Sequence, residues 1–216
     1  HSDITSGKEK IEFRYTSTIK DLENIKDNFY TGKAHTQDIA VRINEKTLEK
    51  DKDYTVKYSN NKEVGTATVT ITGKDKYTGT IKKQFKISIA KSSSYTINGM
   101  KYKVTNAKID GTGTVELVSI GGNSKKSTIV VPNTIKISNK TFRVSSIGSK
   151  VFRKNTYVKK AVLGKYITNI GQESFYGCNQ LKTIEINSTN LKNVGKNAVA
   201  KIYKKATIKA PSSKLK

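Results

Sequence analysis

Val144-Ser145-Ser146-Ile147-Gly148, Ile167-Thr168-Asn169-Ile170-Gly171 and Leu191-Lys192-Asn193-Val194-Gly195 are one phrase written three times. The glycines recur at intervals of 23 and 24 residues. A period in this range marks a solenoid, in which each repeat is one turn that cannot bury its apolar face alone. The pattern runs on past the glycine as Ile147-Gly148-x-x-Val151-Phe152, Ile170-Gly171-x-x-Ser174-Phe175 and Val194-Gly195-x-x-Ala198-Val199. The glycine is expected to allow a tight corner and the phenylalanine to fill the wide part of each turn. Short strands are expected beyond the corners, with Val158, Ala161 and Leu163 matching Leu181, Ile184 and Ile186, and then Tyr203, Ala206 and Ile208.

Upstream of the phrase, residues 133–143 read as an insertion. Tyr95 to Ile97 and Met100 to Val104 flank Asn98-Gly99, a strong two-residue hairpin signal. Residues 95–131 are therefore expected to form a β cap over the open end of the solenoid, which otherwise leaves an apolar edge bare. The polar run 91–94 reads as a hinge, and 132–216 as the repeats.

Before the hinge the grammar changes. Ile39-Ala40-Val41-Arg42-Ile43, Tyr54-Thr55-Val56-Lys57-Tyr58, Gly65 to Ile71 and Ile81 to Ile89 carry alternating patterns, with a polar turn region over Glu45 to Asp53 and a turn cluster at Ser59-Asn60-Asn61. Period-2 segments with turns every dozen or so residues predict a small β-sandwich over 11–90, with an earlier strand within Ile11 to Ile19 and a flexible leader over 1–10. The fold class expected is mainly β: a sandwich followed by a capped solenoid fragment.

Two resemblances sharpen this. Phe29-Tyr30-Thr31-Gly32-Lys33-Ala34, Asp53-Tyr54-Thr55-Val56 with Tyr58-Ser59-Asn60-Asn61, Val64 to Gly73, Tyr77-Thr78-Gly79-Thr80 and Phe85-Lys86-Ile87 resemble the Ig-like modules of bacterial cell-surface proteins. That resemblance implies an extracellular, non-catalytic spacer or adhesive module. Ile170-Gly171-x-x-Ser174-Phe175-x-Gly177-Cys178-x-x-Leu181-x-x-Ile184 resembles the BspA-type leucine-rich repeat of bacterial surface proteins. It extends over roughly 128–216, and Arg153-Lys154-Asn155 stand where the pattern has Tyr-Gly-Cys. It implies a secreted or wall-attached protein that binds host proteins, glycans or other cells.

Charge is the other strong signal. The formal net charge is +24, and the residues before Lys91 hold 17 Lys/Arg against 13 Asp/Glu, while those from Lys91 onward hold 24 against 4. Such a field attracts polyanions without specifying a fold. Only Arg14, Arg42, Arg143 and Arg153 are arginines, so the surface suits diffuse attraction better than bidentate reading of bases. In the strand alignment, Lys159, Lys182 and Lys204 form one outward column, and Lys160, Thr183 and Lys205 the next. Stacked like charges destabilise a sheet, so a bound polyanion would relieve them; the alternative is that they solubilise an exposed face and blunt its edges.

No reaction centre emerges. Cys178 sits at a ladder position and reads as a small buried residue, since a nucleophilic cysteine needs a histidine partner and the histidines are His1 and His35 alone. Asp51 and Asp53 lack the glycine and distal glutamate of a calcium loop. Gly111-x-Gly113 and Gly121-Gly122 lack the strand–glycine–helix setting of a phosphate loop. No stretch approaches the roughly 20 apolar residues of a membrane span. The chain opens on His1-Ser2-Asp3 with no visible signal peptide, as a mature or trimmed chain would. The expectation is a non-enzymatic adhesion or interaction module of the bacterial cell surface, without cofactor or metal. Lys159, Lys160, Lys182, Lys204 and Lys205 are its candidate contacts for an acidic host glycan, an acidic host protein or an anionic wall polymer. A structural stalk and a generic nucleic-acid binder stand as alternatives.

Overall fold

A computed structural model of the chain describes residues 25–43, 46–77 and 79–211. The chain divides into two compact units, the first ending at Ser88 and the second beginning at Ile89. The leader expected over 1–10 and the strand expected within Ile11 to Ile19 lie outside the described residues. Described secondary structure is almost wholly β, with one 3-10 turn at Gly121–Asn123.

The first unit contains β1 (Asn28–Phe29), β2 (Arg42–Ile43), β3 (Lys46–Thr47), β4 (Tyr54–Ser59), β5 (Gly65–Gly73) and β6 (Thr80–Ser88). Four of them form a sheet in the order β1-β6-β5-β4, antiparallel except for the parallel β1–β6 pair. Alternation sends Ala67, Val69 and Ile71 of β5 and Phe85 and Ile87 of β6 to the buried face. Ile39, Val41 and Ile43 pack with Val56 on a cluster of Leu48, Tyr54 and Ile71. The segment read as a polar turn over Glu45 to Asp53 is more structured than that: β3 pairs with β2 in a two-stranded ribbon, and Leu48 is buried. Tyrosines of β4 tie the preceding chain down, as the Tyr58 hydroxyl donates to Gln37 O at 3.0 Å and accepts from Gln37 N at 2.8 Å.

The second unit opens with a hairpin of β7 (Ser94–Ile97) and β8 (Met100–Asn106). Its turn residues Asn98 and Gly99 have φ of 50° and 77°, as a type I′ turn requires. The polar run 91–94 is bonded into this hairpin: Ser92 N donates to Val104 O at 2.9 Å, and Val104 N to Ser93 O at 2.8 Å.

Nine further strands follow: β9 (Thr114–Ser119), β10 (Thr128–Val131), β11 (Thr134–Ile137), β12 (Lys140–Ile147), β13 (Lys160–Leu163), β14 (Asn169–Ile170), β15 (Thr183–Ile186), β16 (Asn193–Val194) and β17 (Thr207–Lys209). The chain visits two parallel ladders alternately. One is β9-β12-β14-β16, with β8 and β7 continuing it antiparallel; the other is β10-β13-β15-β17. The first ladder aligns Leu117, Ile147, Ile170 and Val194 in register, and the second aligns Ile129, Ala161, Ile184 and Ile208. Strands β9 and β10, which fall inside the expected cap, are thus the first rung of the two ladders. Residues 133–143 fold back as the β11–β12 hairpin, burying Ile135, Ile137 and Phe142.

Between the ladders the core is made of stacked like residues. Phe152 and Phe175 stack with centroids 4.5 Å apart and planes 16° from parallel. Val158, Leu163, Ile167, Cys178 and Leu181 are fully buried around them. Val199 stands where a third ring would be. Val194 and Ile208, though in register with buried partners, remain 54% and 42% exposed, because they belong to the last strands of their ladders.

Candidate functional site

The site grows out of the three arcs that join one ladder to the other: residues 148–159, 171–182 and 195–206. They hold nine basic residues (Lys150, Arg153, Lys154, Lys159, Lys182, Lys196, Lys201, Lys204, Lys205) against one acid, Glu173. Backbone hydrogen bonds fasten each arc to the next at every second residue. Lys150 N, Phe152 N and Lys154 N donate to Gln172 O, Ser174 O and Tyr176 O at 3.0, 2.7 and 2.7 Å. Glu173 N, Phe175 N and Gly177 N donate to Lys196 O, Ala198 O and Ala200 O at 3.0, 2.8 and 3.0 Å. The basic side chains therefore project from a fixed frame.

Each arc bends at two left-handed residues, two and six places after its glycine. These are Lys150 and Lys154 (φ 63° and 57°), Glu173 and Gly177 (52° and 74°), and Asn197 and Lys201 (56° and 55°). Non-glycine residues there cost roughly 1–2 kcal/mol each, and three of them are lysines. The repeat glycines themselves have a different reason from the one expected. Gly148, Gly171 and Gly195 are absent from the left-handed set among described residues. A Cβ on Gly171 would stand 2.5 Å from Gly148 C and Ser149 N, and one on Gly195 would collide with Gln172 N. The missing side chain serves the close approach of neighbouring rungs.

Tyr176 is the centre of the basic surface. Arg153 Cζ lies 5.6 Å from its ring centroid and Lys201 Nζ 5.3 Å. Hydrogen bonding to the Tyr176 side chain holds the Lys201 ammonium above the usual lysine range. Arg153 Nε is paired with Glu173 Oε2 at 2.9 Å. Lys182 Nζ lies 5.4 Å from the centroid of Tyr203. At the opposite corner, Tyr166 carries Arg143 at 4.9 Å and Lys165 at 5.1 Å.

The five candidate lysines do not form the two columns expected. Lys159 and Lys182 do stack, with Lys182 N donating to Lys159 O at 2.8 Å, but the next position is held by Ala206, since Thr207 N donates to Lys182 O at 2.9 Å. Strand β17 pairs Thr207 with Thr183 and Ile208 with Ile184, so Lys204 and Lys205 fall two residues short, in the turn before the strand. Lys160 faces Thr183 across the ladder but its Nζ is paired with Glu185 Oε2 at 2.9 Å. Lys159, Lys182, Lys204 and Lys205 belong to the arc surface, and Lys160 to the flanking sheet. Lys150, Arg153, Lys154, Lys196, Lys201 and Tyr176 are not singled out by the sequence pattern. Thirteen residues separate Gly148 from Ala161, Gly171 from Ile184 and Gly195 from Ile208, a constancy that fixes the register and hence the arc.

Other candidates resolve into structure. Cys178 is wholly buried, its thiol donates to Phe152 O at 2.8 Å, and burial pushes its pKa up, the reverse of an activated thiolate. His35 is held through its backbone by Asn61. Asp53 accepts from Glu49 N at 2.9 Å within its turn. Among the described residues no group of three His, Cys, Asp or Glu side chains could hold a metal ion, and no helix is long and apolar enough to cross a membrane. A polar ladder is new: Glu116, Ser146, Asn169 and Asn193 align along the outer face of the first ladder, with Asn193 Nδ2 donating to Asn169 Oδ1 at 2.8 Å.

Residues 145–216 match the family model described as BspA type Leucine rich repeat region, in six copies. Over 28 residues, 13% of this chain and 8% of the relative, the chain is 71% identical to the DNA replication and repair protein RecF of Clostridium perfringens strain 13. Over 30 residues it is 63% identical to the RecF of Clostridium novyi strain NT, covering 14% and 8%. The chain thus spans under a tenth of the length of these curated relatives. Among solved structures it is similar to a leucine rich cell surface protein of Faecalibacterium prausnitzii A2-165, at 24% identity and TM-score 0.43, covering 51% of this chain and 29% of that one. It is also similar to a leucine-rich repeat protein of Bacteroides capillosus ATCC 29799, at 15% identity and TM-score 0.36, covering 55% and 99%.

Proposed function

We propose that this chain is a non-enzymatic interaction module of a bacterial cell surface, in which a leucine-rich-repeat solenoid presents a basic arc surface to an acidic partner. The observation that carries the reading is the frame of three bonded arcs with nine basic residues and one acid. A field of one sign on a rigid surface raises the encounter rate of polyanions and loses reach beyond about 8 Å at physiological salt. The match of residues 145–216 to a BspA type repeat region supports the repeat and surface parts of the reading. The first unit fits the role of spacer. Its four-stranded sheet, with the β2–β3 ribbon and Ile39, Val41 and Ile43 packed on Leu48, Tyr54 and Ile71, supports reading it as part of an Ig-like sandwich.

The partner is an acidic glycan, an acidic protein or an anionic wall polymer. Binding of the full chain to an array of these, with duplex DNA included, tests the reading at two salt concentrations. Retention of acidic ligands at low salt and their release at high salt is the expected result. Absence of binding, or binding indifferent to salt, would leave only a stalk. Equal affinity for DNA and every other polyanion would mark the attraction as generic.

A further inference from the structure

Left-handed backbone suits glycine, and the middle arc has Gly177 there; the outer two have Lys154 and Lys201 at the corresponding places. Glycine at both would relax the backbone, so a lysine-to-glycine change there removes the side chain without straining the arc. Lys154 lies against Gly177, whose added Cβ would stand 3.3 Å from Lys154 Cγ. Lys201 reaches Tyr176 from the third arc, and Arg153 approaches the same ring from the first. Arg153 pairs Nε with Glu173 Oε2 at 2.9 Å, and its side chain remains 39% exposed.

Two cations from two arcs therefore converge on one tyrosine, across two strand spacings or about 9.6 Å, and the Lys154 side chain leaves the first arc beside Gly177. A guanidinium fork and two ammonium groups on different rungs offer donors in more than one plane. That suits an oxyanion with three terminal oxygens better than a flat carboxylate. Beside them in the same arcs stand Tyr157 and Tyr203, 52% and 38% exposed. The Tyr157 ring, and the face of Tyr203 away from Lys182, can meet the C–H face of a pyranose while the hydroxyl stays wet.

We propose that Arg153 and Lys201 on the Tyr176 ring, with Lys154 beside Gly177, bind the sulfate ester groups of a linear sulfated glycan. This rests on the acidic-partner reading and narrows it to one chemistry. The test uses the full chain, a Lys154→Gly/Lys201→Gly double variant and an Arg153→Gln variant, each titrated with heparin, hyaluronan (carboxylates without sulfate) and poly(glycerol phosphate). The expected result is preference for heparin, a loss of heparin affinity of at least about tenfold in both variants, and a melting temperature that is unchanged or raised in the double variant. Heparin affinity kept within about twofold in either variant overturns the site, as does equal or tighter binding of hyaluronan or poly(glycerol phosphate). A parent chain that binds none of the three polymers removes the glycan and wall-polymer forms of the acidic-partner reading as well as the sulfate site; one that binds them all alike removes only the sulfate site.

Discussion

Two glycines in one arc illustrate how differently the same residue can be required. Gly171 lacks room for a side chain because the backbone at Gly148 and Ser149 lies where its Cβ would be. Gly177 has a φ of 74°, and its added Cβ would come closest to the Lys154 side chain, at 3.3 Å from Cγ, which can shift by a few tenths of an ångström. Gly171→Ala must therefore push neighbouring rungs apart and is expected to destabilise the second unit by about 3 kcal/mol, whereas Gly177→Ala costs about 1 kcal/mol. Urea unfolding of the two variants checks the order. Tyr102 gives a pH prediction. The residue is 1% exposed, its hydroxyl lies 3.8 Å from Met100 Sδ within the hairpin, and burial pushes its pKa from 10.0 up to about 12. Burial favours the protonated phenol. The associated stability is thus complete below pH 10 and is lost as pH rises through 10 toward 12. The full shift corresponds to roughly 2–3 kcal/mol. Tyr102→Phe should lose that much less stability than the parent over this window; identical alkaline profiles would contradict it.

At the scale of elements, register decides both the core and the site. The recurring apolar-glycine phrase makes the first ladder legible in the sequence, because an apolar residue before a glycine returns with a period that only stacking explains, and Ile147, Ile170 and Val194 do align. The second ladder departs from the expected alignment in its last strand. Tyr203 and Ala206 look apolar enough to match Leu181 and Ile184, whereas the backbone pairs Ile208 with Ile184. Counting from the glycine gives the true register; matching apolar residues does not, since Tyr203 and Ala206 are both weak core formers. The same slip displaces Lys204 and Lys205 from the sheet to the arc. The arc itself is harder to read, as left-handed lysines leave no mark in composition or periodicity. Place in the ladder also grades energy. Ile184 is buried and Ile208 is 42% exposed, so Ile184→Ala is expected to cost about 2–5 kcal/mol and Ile208→Ala under about 1 kcal/mol. Thermal melts of the pair distinguish this register from one in which both face the core.

Over the whole molecule, charge and fold are separately distributed. The residues before Lys91 nearly balance, with 17 basic against 13 acidic, and those from Lys91 onward carry 24 against 4. The excess resides with the repeats, where backbone bonds between arcs hold it in place. The proposed acidic partner is expected to meet this bonded basic arc and no other surface. Amide chemical-shift mapping of the full chain during a heparin titration at low salt tests it most directly. Shifts concentrated in residues 150–159 and 196–205 with the middle arc around Tyr176, reversed by added salt, are the expected result. Shifts confined to residues 25–88, or spread evenly over every exposed lysine, would contradict it.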